Sequence, residues 1–202
     1  MLVPEAKDFE LLEAGSHVAT CFSFTDLGTQ DGQYGAKRTV RIMWEIAGKM
    51  REDGNPFVVS ALFNFSVGDK SKLKPFIEAM IGRKMTHAEV KGSASERFDV
   101  KDLIGKSCLI KVVHQIDGDK VFVNVEAAMP LPASIPAPTS IMSEKVYFSL
   151  DPTEFDEPTF RNLPEWAQNK IGLSPEWMNL VANKQHKGNA TFKQTARDEI
   201  PF

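Results

Sequence analysis

Tyr34, Lys37, Arg38 and Arg41 set one ring and three cations along a glycine-bounded connector and the strand-like run after it. That combination suits a single-stranded nucleic acid. An aromatic face stacks on a base whatever its identity, and cationic side chains follow the phosphates. Lys70, Lys72 and Lys74 would extend the cationic track, and Phe57, Phe63 and Phe65 would offer further rings from one face of a later strand. Each residue has a structural alternative. The three phenylalanines alternate with Val59 and Ala61 in the manner of a core face. Trp44 shares the register of Val40, Ile42 and Ile46, and Arg38 and Arg41 would face solvent on any strand that buried that register.

Catalytic patterns are missing. There is no Walker-type or dinucleotide glycine loop, no G-x-S-x-G and no H-E-x-x-H, and the histidines His17, His87, His114 and His186 are scattered. Asp117 and Asp119 flank a glycine and read as turn residues rather than metal ligands. Cys21 and Cys108 sit in apolar runs as free core thiols, with no zinc spacing around them. The expectation is a protein that is not an enzyme and uses no cofactor and no metal. A net charge of -3 supplies no general attraction for phosphates, so any such attraction must be local.

The elements that would position these residues follow from periodicity. "HVATCFSFTDLG", "KRTVRIMWEI" and "PFVVSALFNFSV" read as three strands. Ser71 caps a helix with Leu73, Phe76, Ile77 and Met80 on one side and Gly82 at its end. "SCLIKVVHQIDGDKVFVNVEAAM" reads as two strands around an Asp-Gly turn. Three strands, a helix and two strands is the order of an OB-fold, so the expected class is mainly β: a five-stranded OB-fold barrel with a helix between strands 3 and 4. A C-terminal extension with short helices and a disordered tip follows. The expected divisions are a binding domain at 1–132, a proline-rich linker at 133–144, an aromatic-rich, partly helical extension at 145–182, and a flexible tail at 183–202. No apolar run long enough to span a bilayer and no secretory leader is read from the chain, which gives a cytoplasmic expectation, in a bacterial host cell if the resemblance below holds.

The pieces "SFTDLGTQDGQYG", "KRTVRIMWEI", "SKLKPFIEAMIGR", "LIGKSCLIKVVH", "DKVFVNVEAAMPLP" and the later "LPEWAQNKI" resemble a family of bacteriophage and prophage OB-fold single-stranded DNA-binding proteins. The resemblance implies a protein that coats single-stranded DNA in phage replication, recombination or repair, with 33–41 lining the DNA path. The terminus Asp198-Glu199-Ile200-Pro201-Phe202 is similar to the acidic tip of bacterial single-stranded DNA-binding proteins. That likeness implies a ligand for host or phage exonucleases, helicases, primosomal or recombination proteins. Phe202 would be the apolar anchor, Pro201 would limit the unbound conformations, and Asp198 and Glu199 would meet a basic rim. Arg197 and Lys193 interrupt the acidic approach, which predicts weaker steering. A homodimer is a further partner option, and the alternative function is a protein-protein adaptor or phage structural OB-like barrel without DNA binding.

Overall fold

The structure is a computed structural model and describes residues 10–33, 35–118 and 120–182. Tyr34, Asp119 and the tip Asp198–Phe202 lie outside the described residues. The strands are β1 (Gly15–Gln30), β2 (Lys37–Met50), β3 (Pro56–Asn64), β4 (Ser107–Asp117), β5 (Lys120–Pro130) and β6 (Val146–Phe148). Helices α1 (Leu73–Ile81), α2 (His87–Lys91), α3 (Glu157–Asn162) and α4 (Glu165–Gly172), with a 3₁₀ turn at Val100–Leu103, fill the intervals.

β2 shows why the sequence makes these elements. Val40, Ile42, Trp44 and Ile46 are buried at alternate positions, the two-residue period of a strand with one face in a core. The helix α1 begins where Ser71 Oγ accepts from Leu73 N at 3.0 Å, and it ends at Gly82, whose φ of +71° is left-handed. The strands form a six-stranded sheet in the order β3-β2-β1-β4-β5, with β6 pairing on β1.

This arrangement corrects the expected OB barrel. The ladder ends at β3 on one side and β5 on the other, so the sheet is open. β3 and β5 approach within 8 Å between Cα atoms, and α1 packs against β5, but no ladder joins the two end strands among the described residues. Barrel closure is a hydrogen-bonding condition between first and last strands. Proximity does not meet it. The fold is a small mixed α/β arrangement with an open sheet.

Among the described residues the chain divides into two compact units, 10–24 with 41–146 and 25–40 with 147–182. In the first, Trp44, Phe63 and Phe76 form an aromatic knot, with Phe63 and Phe76 centroids 4.7 Å apart, beside buried Ile42, Leu73, Ile77, Leu103, Cys108 and Ile110. In the second, Phe160 stacks on Trp177 at 4.3 Å, with Phe148 and Phe155 against them and Leu27, Leu150 and Ile171 buried. No helix among the described residues is long and apolar enough to cross a membrane.

Candidate interaction surface

The ladder between β1 and β4 ends at Gly15 opposite Val112, whereas β4 and β5 stay paired as far as Asp117 opposite Lys120. Val113–Asp117 and Lys120–Asn124 therefore form a two-stranded ribbon running on past the last β1 pair. Local chemistry builds it. Val113, Val121 and Val123 are β-branched, which suits an extended backbone, and Gly118 supplies a φ of +59° in the turn. Below the ribbon, a bulge between Lys111 and Val112 shifts the register. The base is tied down where His114 Nε2 meets the Leu12 carbonyl at 2.7 Å. On the ribbon itself Asn124 Nδ2 donates to Gln115 Oε1 at 2.9 Å.

Large apolar side chains are exposed on this ribbon beside the polar His114, Gln115, Asp117 and Lys120. Ile116 is 73% exposed, its cross-strand partner Val121 38%, and Phe122, on the opposite face, 47%. A two-stranded ribbon is at best marginally stable alone in water, and an end strand presents unpaired N–H and C=O groups. Such edges are ordinarily blunted by charge or proline. Here Val121, Phe122, Val123, Asn124 and Val125 carry neither.

The residues singled out for nucleic-acid contact are placed differently. Lys37 opens β2, and Arg38 forms an ion pair with Asp26, its Nε donating to Oδ1 at 3.2 Å. The Asp26 hydrogen bond raises the Arg38 pKa further above its ordinary value. Arg41 donates to Ser60 Oγ at 3.1 Å, and its burial lowers its pKa. Phe57 and Phe63 are core residues, and Phe65 meets Phe24 edge-on at 5.9 Å. Lys74 lies 3.7 Å from Asp69, while Lys70 and Lys72 are exposed at the approach to α1. A cation's partner twelve residues upstream, as Asp26 is to Arg38, carries no local sequence signal. The ribbon carries one, the uncharged "VFVNV" after an Asp-Gly turn, which periodicity alone marks as a strand.

Buried or half-buried carboxylates serve the backbone. Asp26 accepts from Gly28 N at 3.0 Å and Leu150 N at 3.1 Å. Glu45 accepts from Met142 N and from Ser143 N, the latter at 2.6 Å. For Glu78, burial pushes the pKa up, but the Lys84 ammonium and the Met85 N–H overcome it and leave a lowered value. Glu176 is lowered in the same way by the hydroxyl and N–H of Thr29, against its burial. Burial pushes Cys21 and Cys108 up to about 12, so neither thiol is poised as a nucleophile near neutral pH. An open cleft of about 640 Å³ lies between 16–18, 46–48 and the proline-rich 135–140. Among the described residues no three His, Cys, Asp or Glu side chains gather as a metal site.

Comparisons of the chain with protein-family models and with curated proteins found no match. The resemblance to phage OB-fold single-stranded DNA-binding proteins is corrected accordingly, since neither a family match nor a closed barrel stands behind it. The expected function falls with it. A DNA path lined by the strands of a closed barrel requires the closure that β3 and β5 do not make. The recruiting role of Asp198–Phe202 has no matching relative to support it, and those residues are outside the described part.

Proposed function

We propose that this chain is a noncatalytic binding protein whose β4–β5 ribbon is a docking strand for a protein partner. The observation that carries the reading is the ribbon itself: a two-stranded extension past the β1 ladder, with Ile116 and Val121 exposed on one face and Phe122 on the other. Burying those three side chains in an interface removes apolar surface from water, and a partner strand along β5 would satisfy its outer peptide groups. The noncatalytic part of the proposal is supported by the carboxylates of Asp26, Glu45, Glu78 and Glu176, which hold backbone N–H groups in place.

A photo-crosslinking residue at position 122 in the full chain tests the reading, with the same residue at exposed Met178 as control. The expected result is a discrete protein adduct from position 122 in cells, lost when Ile116 and Val121 are both replaced by serine. Equal adduct formation at the two positions would overturn it.

A further inference from the structure

We infer that the protein taken up by the ribbon is a second copy of this chain, the two β5 strands adding antiparallel about a two-fold axis at Val123. The inference rests on the docking role proposed above and identifies its partner. A two-fold interface must be self-complementary: if one residue faces another, the second must face the first in the other half. β5 meets this requirement in one register. With the axis on Val123, Lys120 faces Glu126 of the other copy, Val121 faces Val125, Phe122 faces Asn124, and Val123 faces itself. The opposite charges then close both ends of the strand pair, and the valines meet between them. Moving the axis by half a residue either way sets Lys120 against Val125 or Ala127 and leaves Glu126 without a cation across the interface.

Glu126 is the unpaired extra residue of the bulge opposite Lys111 and Val112, so it stands at the end of the paired stretch and not within it. Glu126 already holds Lys111 of its own chain at 2.6 Å with both side chains about half exposed, so an incoming ammonium joins an accessible carboxylate. Lys120 is exposed at the mouth of the turn. Between them no charge opposes pairing, and cross-strand contacts between β-branched residues are the usual unit of sheet stabilisation. Four strands in place of two would lift the ribbon out of its marginal condition.

Charge exchange in the full chain, followed by analytical ultracentrifugation, tests the register. The wild-type chain is expected to show a concentration-dependent monomer-dimer equilibrium. Lys120→Glu and Glu126→Lys each place two like-charge pairs across the interface, and each should weaken dimerisation by about tenfold or more. Mixing the two variants restores opposite charges at both ends of the strand pair, so the mixture should form heterodimers of near wild-type affinity. The chain carrying both exchanges should pair with itself equally well. Unchanged circular dichroism and melting temperature separate these effects from misfolding. Two outcomes overturn the inference. A wild-type chain that remains monomeric while position 122 crosslinks a different protein leaves the docking role intact and removes the second copy as its partner. A dimer indifferent to either single exchange, or not recovered on mixing, places the contact elsewhere.

Discussion

Asp26 accepts from Arg38, Gly28 N and Leu150 N while only 3% exposed, so one carboxylate fixes the start of β2, a left-handed turn and the chain after β6. Removing it would leave the Gly28 and Leu150 N–H groups without their acceptor and take one partner from the Arg38 guanidinium. The Arg38 side chain is 35% exposed, so the loss is set mainly by the two buried donors left unsatisfied, about 1–3 kcal/mol. Asp26→Ala is therefore expected to lower the unfolding free energy of the 25–40 and 147–182 unit by that amount, read as a lower urea midpoint. The measurement is Trp177 fluorescence in a chain whose Trp44 and Trp166 are replaced by phenylalanine. A shift below about 1 kcal/mol would show that water replaces the carboxylate. The exposed Arg51–Asp53 pair is the contrast, since solvent screening leaves a surface pair of this kind with little net effect on stability.

At the scale of elements, α2 is five residues long and buries none of its side chains, so its ends must hold it. Thr86 Oγ1 accepts from Glu89 N, and Glu89 accepts from Thr86 N at 2.8 Å, a reciprocal capping box. Arg83 clamps the same carboxylate at 2.6 and 2.8 Å. The Arg83 hydrogen bond, followed by the Thr86 N–H, lowers the Glu89 pKa from 4.5 to about 2. Because the folded value lies below the unfolded one, the cap is fully present above pH 4.5 and is lost as the pH falls through about 2. The Thr86 amide proton in NMR should titrate with a midpoint near 2, and Arg83→Ala should move that midpoint up toward 4.5. An Arg83→Ala chain with the wild-type midpoint would assign the shift to the cap alone. Elements of this kind were legible in part. Alternation located β2 and β3, and the Asp-Gly turn located the β4–β5 hairpin, because both signals are local. The short β6 was missed because its partner β1 lies far away in sequence, whereas α3 was missed despite a local signal, Asp156 accepting from Thr159 N. Closure was misjudged for the same reason: element order states which strands exist, whereas a barrel depends on whether the first and last exchange hydrogen bonds. For the candidate site, periodicity cannot tell a cation facing solvent from one paired with Asp26.

At the scale of the whole molecule, β1 and β2 each give one stretch to both compact units. The first unit takes its buried residues Ile42, Trp44, Phe63, Leu73, Phe76, Ile77, Cys21 and Cys108 from 10–24 and 41–146 alone. The second relies on Thr25–Gln30 and Lys37–Val40, which are the continuations of strands rooted in the first. Two strands alone are marginal, and Thr25–Gln30 and Lys37–Val40 share their chain with β1 and β2, so loss of those strands is expected to loosen the second unit. Denaturant should therefore release Trp177 fluorescence at or below the concentration that exposes the core thiols. Cys21 and Cys108 report the latter well: burial holds both at about 12, so the native thiols are protonated and should not react with a disulfide reagent at pH 8. Their labelling should begin only as the first unit opens. Asp26→Ala should widen the gap between the two midpoints by moving only the Trp177 transition. Thiol labelling that precedes the Trp177 change would invert the dependence and show that 25–40 with 147–182 holds together without the strands from which it extends.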